Sequence, residues 1–179
     1  MSGSPELGAA FLRFLVHGYS SGQGNDAHEW ESFDRVALGG CDVHSIQAGE
    51  GWMQCRCVVR PTTMNGFLTM HGGCIATLID VVSSAALVTI WGTPGVSVSM
   101  DVQYISPGLA DSVLEVRARV LRAGKHIATM TVDIVDTGKN DMIISHGVHV
   151  KSYSKSDRPL SLGTTIPTKG KDPKMSSKL

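Results

Sequence analysis

The only charged residue between His71 and Trp91 is Asp80, in the stretch GGCIATLIDVVSSAALVTI. A carboxylate set in an apolar helix is stripped of water, which disfavours its charged form and makes it a better proton acceptor near neutral pH. Asp80 is therefore a candidate general base; the plainer reading is a structural aspartate satisfied by a nearby hydroxyl or amide. Just ahead of it lies His71-Gly72-Gly73. The first turn of a helix presents unpaired amides with positive partial charge, and two glycines let a ligand come close to the backbone. Gly72 N–H could thus hold a carbonyl oxygen as negative charge develops on it, although a glycine-bearing helix start needs no ligand to explain it.

Other reactive types are weaker candidates. Cys74 lies one turn from His71 and invites a covalent Cys/His mechanism, but no third group is apparent, so it reads as packed in the helix. Cys41, Cys55, Cys57 and Cys74 include no CxxC pair and follow no secretory segment. Free thiols in a reducing compartment are expected, with Cys55 and Cys57 on one side of a strand as small hydrophobes. His146 and His149, three apart in a strand-like stretch, would point to opposite faces, so no metal pair is expected there.

The elements that must position these groups follow from periodicity. SPELGAAFLRFLVHGY has near-helical apolar spacing, with Ser4 as a cap and Pro5 in the first turn, and a polar connector follows to Asp34. Arg35 to Arg60 is strand-like, broken by QAGEGW into a hairpin; PTTMNGFLTMHGG is a long loop. The run from Gly72 to Ile90 is apolar on nearly every face, as expected of a helix that a sheet wraps around. After WGTPG the period becomes two, through VSVSMDVQYI, SVLEVRARVLRA, HIATMTVDIVD and MIISHGVHVKSY. The order is helix, two strands, long helix, four strands: an α+β class with one core. Residues 1–34 form a helix and linker, 35–153 the domain, and 154–179 a flexible basic tail.

Charge excludes some functions. Residues 151–179 hold seven Lys/Arg against two Asp/Glu, and residues 1–150 hold nine against fourteen. The basic residues of the body are scattered without interleaved aromatics, so no nucleic-acid surface is expected. Asp80, Thr77, Ser83 and Ser84 in the middle of the long apolar run argue for a buried helix over a membrane span.

Together the pieces are specific. N-G-x-x-x-x-H-G-G-x-x-x-x-L-x-D from Asn65 to Asp80, followed by PGVSVSMDVQYISP and RAGK, resembles the hotdog-fold acyl-CoA thioesterases of the phenylacetic-acid-degradation type, over roughly residues 36–153. The resemblance implies a curved antiparallel sheet wrapped around the central helix, here with an extra N-terminal helix. It also implies a homodimer or a dimer-of-dimers tetramer with sites at the dimer interface. By that resemblance Gly72 N–H and Asn65 polarise the thioester carbonyl, and His71 positions Asn65 or the departing thiolate. Asp80 of the other subunit activates water, and Ser97 orients it, with Ser99 competing for the hydroxyl role. Gly73 borders the substrate, and Gly124-Lys125 would lie beside coenzyme A, where Lys125 meets a phosphate; its plainer reading is a solvated hairpin turn. No metal and no cofactor is implied, since coenzyme A is part of the substrate and a product. The chemistry agrees: a thioester is already reactive, so a positioned water, a carboxylate base and two oxyanion donors suffice.

Two rivals share parts of this pattern. Hotdog-fold hydratases carry an Asp and a His separated by four residues, as Asp141 and His146 are here, but their pair precedes the central helix. A catalytically silent acyl-CoA binder would have no need of Asn65, His71, Gly72 and Asp80 together. Finally, Ser177-Lys178-Leu179 has the form of a peroxisomal import signal, which implies an import receptor as partner and a place in the peroxisomal matrix.

Overall fold

A computed structural model describes residues 3–17 and 33–154. The tail beyond 154, including Ser177-Lys178-Leu179, and most of the linker lie outside the described residues. Helix α1 runs Pro5–His17, with Ser4 Oγ accepting from Leu7 N–H at 3.2 Å, as a capping serine should. A one-turn helix α2, Phe33–Ala37, corrects the reading of Arg35 to Ala37 as strand. Five residues are too few for either periodicity to show, and Leu38 N–H closes the turn onto Asp34 O at 2.8 Å.

Six antiparallel strands follow the expected pattern: β1 Cys41–Gly49, β2 Trp52–Val58, β3 Val96–Tyr104, β4 Val113–Ala123, β5 Ile127–Asp136 and β6 Met142–Ser152. Their order across the sheet is β1-β2-β4-β5-β6-β3. Helix α3, Gly72–Trp91, lies against one face. It is long and apolar enough to cross a membrane, but most of it is buried inside the protein. Leu78, Ile79, Val82 and Leu87 are fully enclosed, each contributing roughly 1.5–3 kcal/mol of transfer free energy. The helix begins at His71, whose side chain caps it, and stops at Gly92, which adopts φ 70°, a left-handed conformation open to glycine at no steric cost. α1 packs along α3 with Leu12 fully buried, so the amino-terminal helix completes the core.

Gly147 sets how closely α3 approaches β6. A Cβ there would come within 2.7 Å of Ile79 Cγ2, so a side chain would push the helix off the strand. That close approach matters because Asp80, the next residue, must meet side chains of β6. At the edge of the sheet, among the described residues, β3 pairs only with β6 and its other edge is free. Val96 and Val98 are 72% and 59% exposed, and Met100 and Tyr104 are exposed as well. A long apolar edge strand is a template for pairing with another chain.

Candidate active site

At the start of α3 the backbone is arranged around one unsatisfied donor. His71 N–H donates to Thr63 O at 2.8 Å, Gly73 N–H donates to His71 Nδ1 at 2.9 Å, and Cys74 and Ile75 N–H both reach His71 O. Among the described residues no acceptor meets Gly72 N–H, which is free at the positive end of a twenty-residue helix. Asn65 stands on the same cleft, of about 330 Å³, with Met70, Ile75, Tyr104 and Pro107. Its Oδ1 accepts from Phe67 N–H and Thr69 N–H at 2.9 and 3.3 Å, and its Nδ2 donates to Thr69 Oγ1 at 3.0 Å. The carboxamide is thus locked by its own turn, with one Nδ2 hydrogen left over. Tyr104 Oη donates to Gly72 O at 3.2 Å, and its ring lies at van der Waals distance from where a Cβ on Gly72 would sit.

Two expectations need adjusting here. His71 does not hold Asn65: its Nδ1 takes the Gly73 amide instead, which puts the proton of the neutral ring on Nε2 and leaves that N–H exposed. The same bond occupies the amide of Gly73.

Asp80 lies eight residues along α3, about 12 Å from Gly72 at the helical rise. It is not buried as its apolar surroundings suggested: the carboxylate side chain is 45% exposed, because it faces the margin between α3 and the uncovered end of β3. Ser97 Oγ donates to its Oδ1 at 3.4 Å. A β-bulge between Ser97 and Ser99 separates two hydroxyls that plain alternation would put on one face, and Ser99 makes no hydrogen bond to Asp80. Sequence reasoning missed the rest of this constellation. His149 Nδ1 lies 2.7 Å from Ser83 Oγ, and its Nε2 lies 3.0 Å from Ser97 Oγ and 3.6 Å from Asp80 Oδ1. Lys151 Nζ donates to Ser84 Oγ at 2.7 Å, Ser97 Oγ at 3.2 Å and Asp80 Oδ1 at 3.5 Å. The signal was H-x-K on the last strand, a spacing of two that puts both side chains on the helix-facing side, together with Asp80, Ser83 and Ser84 at helical spacing on α3.

His149 is fully buried, and its pKa is pushed down from 6.5 to about 4, first by burial and then by the Lys151 ammonium, with Asp80 opposing. Folding therefore requires the neutral ring. Between pH 6.5 and 4 the unfolded chain binds the extra proton, so stability should fall with pH across that window, by about 3 kcal/mol in total. Urea midpoints at pH 7 and pH 4.5 check this. His149→Gln should show a smaller drop than the unsubstituted chain; equal drops in both would show that other groups carry the acid sensitivity.

The remaining candidates fall elsewhere. Cys74 donates through Sγ to Ala37 O at 3.1 Å, and burial pushes its thiol up to about 11, which is an inert packed thiol. Asp141 pairs with Arg117 at 3.0 Å and His146 with Asp133 at 2.7 Å, so they form no acid–base unit with each other. Gly124-Lys125 makes the exposed β4–β5 turn, where Gly124 O accepts from Tyr153 Oη. Ala128 pairs with Lys151, which puts that turn at the same end of the sheet as Ser97. A larger open cleft of about 530 Å³, lined by Arg56, Asp111, Asp136 and Lys139, holds none of the site residues. No group of three or more metal-ligating side chains converges among the described residues.

Residues 67–143 match the thioesterase superfamily. Acyl-coenzyme A thioesterase 13 of Homo sapiens is 38% identical over 123 residues, covering 67% of this chain and 84% of that protein. Among solved structures, zebra fish thioesterase superfamily member 2 superposes with a TM-score of 0.65 at 27% identity, over 83% of this chain and 97% of its own. Thioesterase superfamily member 2 from Mus musculus gives 0.61 at 33% identity, over 67% and 86%. Both carry the antiparallel sheet and central helix described above. The polar groups at the start of α3 and along its flank therefore sit in a hotdog fold, and the chain belongs to the thioesterase superfamily as a thioester hydrolase.

Proposed function

We propose that this protein hydrolyses acyl- or aryl-coenzyme A thioesters to a free acid and coenzyme A, at a site completed by two copies of the chain. The observation that carries the reading is the separation within one chain of the oxyanion donors from the base. Gly72 meets Tyr104 at one end of β3 and Asn65 lines the same cleft, while Asp80 meets Ser97 near the other end of the strand, about 12 Å from Gly72 along α3. A second copy adding to the free edge of β3 antiparallel, about a centre near Met100 and Asp101, puts Tyr104 of each copy opposite Ser97 of the other. The two halves then face one thioester. The name of the human relative, acyl-coenzyme A thioesterase 13, supports the acyl-coenzyme A substrate.

In this arrangement Gly72 N–H and the spare Nδ2 hydrogen of Asn65 hold the carbonyl oxygen as it becomes an oxyanion. The Asp80 carboxylate of the other copy takes a proton from water while the water oxygen attacks the carbonyl carbon. Ser97 fixes that water. Collapse of the tetrahedral intermediate breaks the C–S bond, and the exposed Nε2–H of His71 meets the departing thiolate. Lys125 is assigned a coenzyme A phosphate. A tetramer would join two such dimers through a second surface, away from the β3 edge. Carried at a free carboxyl terminus, Ser177-Lys178-Leu179 directs import into the peroxisomal matrix.

Thiol release from a panel of acyl- and aryl-CoA thioesters tests the activity and ranks the acyl groups. A folded protein that binds these compounds without releasing thiol would be a silent binder instead. For the address, an amino-terminally tagged copy lacking Ser177 to Leu179 should stay in the cytosol while the full chain enters peroxisomes. Import of the shortened chain would refute it.

A further inference from the structure

Lys151 is an unusual residue to find under the margin of α3. Its side chain is 5% exposed, and an ammonium taken out of water is costly unless its hydrogens are matched. They are matched one for one: three N–H groups meet Ser84 Oγ, Ser97 Oγ and Asp80 Oδ1. Two of these acceptors are the groups assigned to the attacking water. Ser97 is also held from behind by His149 Nε2, so its hydroxyl is gripped by two side chains of β6 and is not free to rotate.

We propose that Lys151 is a positioning residue for the hydrolytic step: from β6 its ammonium holds the Ser97 hydroxyl and the Asp80 carboxylate in one frame, with His149 as a neutral strut behind Ser97. This rests on the thioesterase mechanism above. A purely structural residue here would be apolar, like the fully buried Ala128 beside it on β5. Instead the strand directs an ammonium and an imidazole at a half-exposed carboxylate.

The frame requires a charged Lys151. Burial lowers its pKa from the ordinary lysine value, and Asp80 works against that. Among the described residues, the charged or titratable groups that face it are Asp80 from α3 and His149 from its own strand; Ser84, Ser97 and Ala128 carry no charge. Activity should therefore fall on an alkaline limb lying below the ordinary lysine range.

The test is kcat and KM for thiol release across pH for the wild-type chain, Lys151→Met, Lys151→Gln and Lys151→Arg, with folding checked by circular dichroism. Met and Gln should each lower kcat by about tenfold or more with KM changed far less, because Lys151 is assigned to the groups that handle the attacking water and not to those that hold the thioester. Both should lose the alkaline limb, whereas Arg should keep most of kcat and move the limb upward. Combined with Ser97→Ala, Lys151→Gln should cost clearly less than the product of the two separate losses, since one of the two groups it positions is gone. Full kcat in a folded Met or Gln variant, an unchanged alkaline limb, or losses that multiply with Ser97→Ala would each overturn the role. Absence of thiol release by the wild-type chain would instead overturn the functional reading, and this role with it.

Discussion

Asp80→Ala should lower kcat for thiol release by at least about a hundredfold while the fold is retained, because among the described residues no other carboxylate contacts Ser97 or Lys151. KM should change less, since the carboxylate is assigned to the attacking water and not to the bound thioester. Removing the carboxylate has a second consequence. Lys151 loses the one anionic partner it has among the described residues while its side chain is 5% exposed, and such a charge is either hydrated at a cost or neutralised. Asp80→Asn keeps the shape and one acceptor oxygen, so it should fold better than the alanine variant and be comparably inactive. Near-normal hydrolysis in either folded variant would remove Asp80 from the mechanism.

The half of the site that contains Asp80 shows what the sequence reveals and what it hides. A lone charge inside an apolar run is conspicuous in any sequence, and so is a His-Gly-Gly turn ahead of it. The strands are equally open to reading, because a sheet with one buried face imposes a period of two, and Gly92 marks the end of the helix through its left-handed backbone. Helix α2 was hidden by its length. Lys151 and His149 were hidden for a different reason: spacing places them on one face of a strand, but nothing local says whether that face meets apolar side chains or a carboxylate. That depends on Gly147 letting α3 descend onto β6, and on a bulge that turns Ser97 inward. The exposure of Asp80 was misjudged on the same ground. Apolar neighbours along a helix indicate burial only where a second element covers that flank, and here the covering strand ends at a free edge.

That free edge leads to the other large effect. If each site takes Asn65 from one chain and Asp80 from a second, Asn65→Ala and Asp80→Ala homodimers are each inactive at both sites, with losses of about a hundredfold or more for an oxyanion donor and for the base. A heterodimer of the two is different. One of its sites collects both substitutions, and the other is built from the intact Asn65 of one chain and the intact Asp80 of the other. Co-expression with two affinity tags, followed by sequential purification, isolates that species. Its activity should recover to about half that of the wild-type dimer, as two-fold symmetry requires when one of two equivalent sites is restored. Were Asn65 and Asp80 to act within the same chain, every heterodimer would contain one defect per site and activity would stay at the level of the parents. A charged substitution such as Val98→Lys on the exposed face of β3 should give a folded but monomeric and inactive chain, read by light scattering beside the assay. A monomer with full activity would separate catalysis from pairing and return the whole site to one chain.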